Sequence, residues 1–194
     1  MRILLASSSP RRRELLERAG LTFEVESSPA EEIHDETMVP ERLCEENAVL
    51  KAAAVAADHP EKIVIGADTL VFIDGRALGK PEDLAGARAM LRQLAGRTHR
   101  VCSGVCMIFP GGRREVFHGM TEVVFRPFAD ETIDAYFALV NPLDKAGAYG
   151  IQEHGDMRVA SIRGDFDNVM GLPVGMVLDR LPESPEACER RVDG

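Results

Sequence analysis

Residues 3–13 have the sequence ILLASSSPRRR, which combines a short apolar run, a serine-rich turn and the start of a helix. Residues 3–6 have the length of a short buried strand, and the amphipathic pattern from about residue 11 to residue 19, closed by Gly20, predicts a helix. The chain therefore opens with a strand, a turn and a helix, the unit from which α/β domains are built.

The alternation of strand and helix patterns continues beyond this opening unit. Further strands are predicted at residues 23–27, 63–73, 99–109, 115–125 and 159–163. Helices are predicted at residues 40–57, 83–94 and 130–140, with a last helix starting near Pro173. This alternation predicts an α/β fold with a mixed, twisted sheet flanked by helices rather than a bundle or a sandwich.

The length of the chain, 194 residues, fits one globular domain. We expect this domain at residues 1–182, followed by a polar C-terminal tail at residues 183–194. No apolar stretch approaches the roughly 20 residues of a membrane span, and the N-terminal apolar run is too short for a signal peptide. These features predict a cytoplasmic protein that does not enter a membrane.

The charge of the chain restricts its ligands. The formal net charge is −9, which argues against binding to nucleic acid or to acidic membranes. The distribution is uneven, because residues 1–20 contain five arginines and only two glutamates. A basic segment in an acidic chain predicts a small anionic ligand.

Residue spacing excludes several common sites. The cysteines at positions 44, 102, 106 and 188 form no Cys-x-x-Cys pair, and those at 102 and 106 fall on one side of a predicted strand, as buried thiols do. The five histidines lack the spacing of a zinc hydrolase. The glycines form neither a dinucleotide-binding nor a P-loop fingerprint.

The turn between the first strand and the first helix is a candidate phosphate site. Ser9 suits the N-cap position and Pro10 the first helical position, so residues 11–13, all arginine, fall in the first turn. Three arginines are unfavourable there unless an anion binds, because the helix dipole is already positive. Free N–H groups, serine hydroxyls and guanidinium groups all donate to phosphate oxygens. The alternative is a solvated basic surface.

Asp68 is a second candidate, because it lies between the apolar segments 63–65 and 70–73. An ionised carboxylate rarely lies in an apolar strand without a partner. A metal ion or a water molecule to be activated would be such a partner, and partial burial favours use as a general base. The alternative is a structural aspartate bonded to neighbouring backbone N–H groups.

Lysines and an acidic loop give weaker signals. Lys80 lies where it can offset phosphate charge, although a lone lysine is usually solvated, and Lys51 lies on a mostly apolar helix. Residues 31–36 contain more carboxylates than helix capping requires, but a solvated acidic loop is an equal alternative. From the residues alone, the chain is a magnesium-dependent enzyme or a binder of a phosphorylated small molecule.

Five segments occur together in a fixed order. They are LASSSPRR at residues 5–12, IGADT at 65–69, GKP at 79–81, DKAGAYGIQ at 144–152 and GLP at 171–173. Together they resemble the Maf family of nucleoside triphosphate pyrophosphatases. The resemblance implies an α/β fold with an elongated active-site cleft, similar to inosine triphosphate pyrophosphatases, and hydrolysis of a nucleoside triphosphate to the monophosphate and pyrophosphate.

The resemblance also implies residue roles. Asp68 matches the family's catalytic acidic residue, which accepts a proton from the attacking water or binds metal, and Glu32 matches the acidic-loop carboxylate, with Glu31 as the competing register. Lys51 and Lys80 match the family's lysines that stabilise phosphate charge, and Ser7 and Arg12 match residues of its phosphate-binding turn. The implied cofactor is Mg²⁺ or Mn²⁺, with Asp68 and Glu32 as ligands, and a homodimer is a possible assembly.

Three further residues, Arg11, Thr69 and Gln152, match the positions that separate the family's substrate groups. This set resembles the dTTP/UTP group rather than the 7-methyl-GTP group. The expected reaction is metal-assisted attack of water on the α-phosphorus of dTTP or UTP. The alternatives are a house-cleaning pyrophosphatase for modified or other nucleotides, such as 7-methyl-GTP, and a nucleotide-binding regulator of septum formation.

Overall fold

The computed structural model describes residues 2–35 and 37–182, and seven strands within them form one sheet. The strands are β1 (Ile3–Ala6), β2 (Phe23–Glu26), β3 (Ile63–Ile73), β4 (Arg76–Leu78), β5 (Thr98–Ile108), β6 (Arg114–Phe125) and β7 (Val159–Arg163). Their order is β2-β1-β3-β5-β6-β7, and β4 pairs with β3. The pairs that β1 forms with β2 and β3 are parallel and the others are antiparallel, so the sheet is mixed, as predicted.

Six α-helices flank the sheet in the described part of the chain. They are α1 (Pro10–Arg18), α2 (Pro40–Ala56), α3 (Leu84–Leu94), α4 (Asp130–Phe137), α5 (Phe166–Met170) and α6 (Val174–Leu178). The Asp74-Gly75 pair is typical of a hairpin turn, and β4 forms the second arm of that hairpin; α5, five residues long, is the α-helix in the described part of the chain that the sequence patterns missed. The predicted tail at 183–194 lies outside the described residues, and the single domain at 1–182 stays a prediction.

The central strands are buried on both faces. Every residue of β1 is buried, and β3 is buried except at Thr69 and Leu70, which explains its nearly continuous apolar sequence. Helix α2 covers one face, where its alanines and Val55 pack on residues of β1 and β3. The larger core on the other face includes leucines of α1 and α3 and Tyr136 of α4.

Two glycines let α2 approach the sheet closely. A Cβ atom on Gly104 would lie 2.3 Å from the backbone carbon of Cys44, and one on Gly66 would lie 2.6 Å from the backbone oxygen of Ala48. Gly104 pairs directly with Asp68, and Gly66 precedes Asp68 by two residues, so all three share the face that α2 covers. The Asp68 side chain therefore lies beneath α2.

The buried-thiol prediction is confirmed for the described cysteines. Cys44, Cys102 and Cys106 are free and buried, and burial raises the pKa of Cys106 to about 11. The Cys44 thiol donates to the backbone oxygen of Cys102 at 3.4 Å, and its interaction with the Cys102 side chain together with burial raises the pKa of Cys44. The thiols of Cys44 and Cys106 are therefore protonated at neutral pH and unreactive. Cys188 lies outside the described residues.

Candidate active site

A cleft of about 560 Å³ opens where β1 ends. β1 pairs with residues 63–65 of β3 and β4 pairs with residues 71–73, so no described strand covers the edge of β3 between them, which includes Asp68 and Thr69. All nine residues singled out from the sequence line this cleft: Ser7, Arg11, Arg12, Glu32, Lys51, Asp68, Thr69, Lys80 and Gln152. The lining contains five basic and three acidic side chains, so the cleft attracts anions although the chain is acidic.

Arg12 is a buried cation at the start of α1. Its Nε donates to the Gly171 carbonyl at 2.8 Å, and its terminal nitrogens donate to Ser7 Oγ at 3.2 Å and Thr69 Oγ1 at 3.1 Å. Burial lowers the pKa of the Arg12 guanidinium, and the charge of Asp68 partly offsets this effect. Among the described residues no carboxylate forms an ion pair with Arg12, so its charge is left for an anion in the cleft.

The other arginines of this turn have different surroundings. Arg13 is exposed and pairs with Glu17 at 2.7 Å, as a solvated surface residue does. Ser9 occupies the N-cap position of α1, as predicted, but its side chain makes no capping hydrogen bond. Instead, the Ser7 hydroxyl accepts the Ser9 N–H at 3.2 Å. The serine that orders the turn is thus Ser7.

Thr69 holds Arg12 from the opposite face of β3. Its hydroxyl lies 2.8 Å from the Ser103 hydroxyl, which donates to the backbone oxygen of Asn168 at 2.8 Å. Ser103 pairs directly with Thr69 in the sheet, so the two side chains share a face. The Thr69 hydroxyl therefore contacts protein groups, among them Arg12, and its role in substrate selection stays a prediction.

Asp68 and Glu32 are joined by one lysine. Lys51 Nζ lies 2.7 Å from Asp68 Oδ1 and 2.7 Å from Glu32 Oε1. The Asp68 side chain is 7% exposed and that of Lys51 is 13% exposed, so water screens this pair weakly. The contact favours Glu32 over Glu31 as the functional residue of the acidic loop, because Glu31 does not line the cleft.

Asn47 is a site residue that sequence reasoning missed. It lies on α2 four residues before Lys51, on the same helical face, and is 2% exposed. Its amide nitrogen donates to Asp68 Oδ2 at 3.2 Å, so both oxygens of Asp68 accept hydrogen bonds from α2. A polar residue one turn before Lys51 in an alanine-rich helix was the available signal.

A third acidic residue, Asp144, also lines the cleft. Arg11 contacts it at 3.4 Å, and Lys145 Nζ contacts it at 2.7 Å. Lys145 is 3% exposed and also reaches the Asn141 carbonyl and Glu153, so it holds the loop that leads to Gln152. The segment at residues 144–152 is one of the five that resemble the Maf family, but its sequence does not predict these contacts.

Tyr149 closes the inner wall of the cleft. Its hydroxyl lies 2.7 Å from His99 Nε2, and the two rings pack edge to face with Phe125. Burial lowers the pKa of His99 to about 4 and raises that of Tyr149. Both groups are therefore neutral at pH 7, and this wall contributes shape rather than charge.

Lys80 and Gln152 line the cleft without the dense contacts of the other residues. Lys80 is exposed beside Gly79, whose carbonyl accepts the Gly147 N–H at 3.0 Å. Gln152 is exposed on the loop after Ile151. Both side chains are thus free to reach a ligand from the side of the cleft away from α2.

Within residues 2–35 and 37–182, no group of three or more His, Cys, Asp or Glu side chains could hold a metal ion. The same part of the chain contains no helix long and apolar enough to cross a membrane.

Similarity to known proteins covers nearly the whole chain. Residues 2–184 match the family model described as Maf-like protein. The dTTP/UTP pyrophosphatase of Akkermansia muciniphila is 51% identical, over 92% of this chain and 94% of that protein. The enzyme of the same name from Moorella thermoacetica is 48% identical over 93% of each chain.

A solved structure, the Ham1 protein of Staphylococcus aureus, aligns with a TM-score of 0.48 and 19% identity over 64% of this chain and 72% of that one. The whole-length family match and the high identity of the relatives decide the family. The chain belongs to the Maf family.

Proposed function

We propose that this chain is a nucleoside triphosphate pyrophosphatase that hydrolyses dTTP and UTP to the monophosphate and pyrophosphate. The observation that carries the proposal is that one cleft contains a buried Arg12, which forms no ion pair with any described carboxylate, and a pair of carboxylates bridged by a lysine. Relatives that are 45–51% identical over most of the chain bear the name dTTP/UTP pyrophosphatase. Because free nucleotides are found in the cytoplasm, the proposed function places the chain in that compartment.

The proposed reaction assigns each group a task. Arg12 and the Ser7 turn bind the phosphates, while Lys80 offsets their charge from the open side of the cleft. Asp68 accepts a proton from the water that attacks the α-phosphorus. The bond from the α-phosphorus to the bridging oxygen breaks, and pyrophosphate leaves with that oxygen.

Lys51 has a separate task between the carboxylates. Its ammonium group contacts Asp68 Oδ1 and Glu32 Oε1, which keeps two like charges close together. Without a cation between them the two carboxylates would repel each other. Lys51 thus maintains the acidic side of the cleft opposite Arg12.

A divalent cation fits this donor set when the substrate is present. Mg²⁺ is usually held by one or two carboxylates together with substrate phosphates and water, and Asp68 and Glu32 offer two. Mg²⁺ or Mn²⁺ bound there would polarise the phosphoryl oxygens.

Recognition of the nucleotide base is assigned to the side of the cleft that Arg11 and Gln152 line. Arg11 and Gln152 line the cleft there, and Arg11 is oriented by Asp144. Side chains that hydrogen-bond one base are left unpaired by another, and this loss can give large discrimination. We assign pyrimidine preference to this part of the cleft.

A substrate panel with product analysis tests the proposal. The panel contains dTTP, UTP, CTP, ATP, GTP, dITP and 7-methyl-GTP, each assayed for pyrophosphate release. We expect kcat/KM for dTTP and UTP to exceed that for 7-methyl-GTP by at least about tenfold. A preference for 7-methyl-GTP or for dITP would favour the house-cleaning alternative. Tight nucleotide binding with no product would favour the regulatory alternative.

A further inference from the structure

Asn47 uses its whole side-chain amide inside the protein. Its Oδ1 accepts the Ile33 N–H at 2.7 Å, and its Nδ2 donates to the Ile33 carbonyl at 3.2 Å and to Asp68 Oδ2 at 3.2 Å. One acceptor and two donors are the usual complement of an asparagine amide. Asn47 does not line the cleft, so it acts on other residues and not on a ligand.

The two contacts with Ile33 fix the acidic loop. The Ile33 N–H belongs to the peptide unit that joins Glu32 to Ile33, and the Ile33 carbonyl belongs to the next unit. Residues 27–35 contain neither helix nor strand, so secondary structure does not hold this loop. Among the described residues, a further polar contact from the loop to α2 is the ion pair of Glu32 with Lys51, whose long side chain constrains the backbone weakly.

The third contact ties the same amide to Asp68. Asn47 and Asp68 are both buried, and the short asparagine side chain allows little adjustment. We propose that Asn47 is a positioning residue that fixes the distance between the acidic loop and Asp68, so that Lys51 bridges both carboxylates. This proposal rests on the proposed function for its catalytic consequence, but the attachment of the loop can be measured without catalysis.

The amide chemistry explains why other residues would fail here. Aspartate keeps an acceptor for the Ile33 N–H but loses both donors and adds a negative charge beside Asp68. Alanine removes all three hydrogen bonds and leaves two backbone groups of Ile33 without their partner. The predicted result of either change is a displaced or repelled Glu32.

The test compares Asn47→Ala with a control on the same helix. Val55→Ala removes buried side-chain volume from α2, but Val55 lies in the apolar cluster outside the cleft. Each variant is assayed with dTTP, and amide hydrogen exchange is measured at Ile33. We expect Asn47→Ala to lower kcat by roughly 10-fold to 100-fold, because a displacement of about 1 Å can cost that much.

Other readouts separate positioning from loss of stability. KM should change less than about threefold in Asn47→Ala, because Arg12 and the phosphate turn are untouched. The Ile33 amide should exchange at least about tenfold faster in Asn47→Ala but not in Val55→Ala. Asn47→Asp should keep the protection of Ile33 while losing turnover.

Different results would overturn the positioning role of Asn47 and the proposed function. If Asn47→Ala keeps kcat within threefold of the parent, or keeps the Ile33 amide fully protected, the positioning role is overturned. If the parent hydrolyses no triphosphate, the proposed function fails. The exchange rate at Ile33 still decides then whether Asn47 holds the loop.

Discussion

Gly104→Ala is expected to damage both stability and catalysis, because Gly104 lies opposite Asp68 beneath α2. The added Cβ would lie 2.3 Å from the Cys44 backbone carbon, 2.4 Å from its oxygen and 2.5 Å from the Glu45 nitrogen. Ordinary van der Waals contact needs 3.4 Å or more, so helix and strand must separate by roughly 1 Å. These atoms are backbone, and no side-chain rotation relieves the clash.

The cost in stability follows from overpacking. Forcing extra atoms into a packed core costs about 1–3 kcal/mol, so we expect a loss near 2 kcal/mol. For a chain of this size, the melting temperature should fall by roughly 4–8 °C. Urea unfolding of the parent and the variant measures the difference in the free energy of unfolding.

The cost in catalysis follows from the position of α2. A shift of roughly 1 Å would lengthen the Asn47–Asp68 hydrogen bond, now 3.2 Å, beyond hydrogen-bonding range. The long side chain of Lys51 can follow, but Asn47 cannot. We expect kcat to fall at least about tenfold under conditions where the variant is folded.

Gly175→Ala is the matched control. Gly175 lies in α6, and a Cβ there would have no heavy atom within 4 Å. Alanine is also the better helix former, so this variant should be as stable as the parent or up to about 1 kcal/mol more stable. The account of α2 is refuted if Gly104→Ala matches Gly175→Ala in both stability and kcat.

Three further predictions use the same cleft and core. Arg12→Ala should raise KM at least about tenfold, with a smaller effect on kcat, whereas Arg13→Ala, in the same turn but exposed, should leave KM unchanged. If the two variants have the same KM as the parent, Arg12 binds no phosphate. Glu32→Gln should raise the Mg²⁺ concentration that gives half-maximal activity, and chelation of metal should stop turnover reversibly, while full activity in a chelator would refute a metal role. The pKa of His99 is about 4 in the folded protein and about 6.5 in the unfolded chain, so the ring is mostly neutral in both states at pH 7. As the pH falls below 6.5, the unfolded chain binds a proton first, and about 2 kcal/mol of the free energy of unfolding is lost by pH 5. His99→Gln should lack this part of the pH dependence in urea unfolding, and an equal loss in both proteins would contradict the assignment.

The positions of the longer strands and helices can be predicted from the sequence, because their buried residues recur with the period of a strand or a helix. The strand Ile63–Ile73 is bounded as predicted, since its apolar run ends at the Asp74-Gly75 turn. The helix predicted at 130–140 ends earlier, at Phe137, because no capping signal marks its end. The short strand Arg76–Leu78 pairs with the end of the strand Ile63–Ile73 across the Asp74-Gly75 turn, which is a local hairpin signal, whereas Phe166–Met170 is too short to show a helical period.

The site was predictable in its residue types but not in its contacts. A lone carboxylate in an apolar strand pointed to Asp68, and the resemblance implied roles for Lys51 and Glu32 but not the bridge that Lys51 forms between the two carboxylates. The sequence did not reveal Asn47, because the contact requires the register of α2 on the sheet, which Gly66 and Gly104 set. Long-range packing of this kind depends on tertiary structure and not on local sequence.

The role of Asp68 is tested most directly by Asp68→Asn, in which the amide nearly preserves the shape of the carboxylate. Two assays are needed: pyrophosphate release from dTTP with Mg²⁺, and dTTP titration without metal. Loss of general-base assistance costs about 10²-fold to 10⁴-fold, so turnover should fall at least that much while the variant stays folded. Removal of a negative charge from a phosphate site should leave metal-free dTTP affinity unchanged or higher. A folded variant that turns over within tenfold of the parent would show that Asp68 is not the catalytic carboxylate.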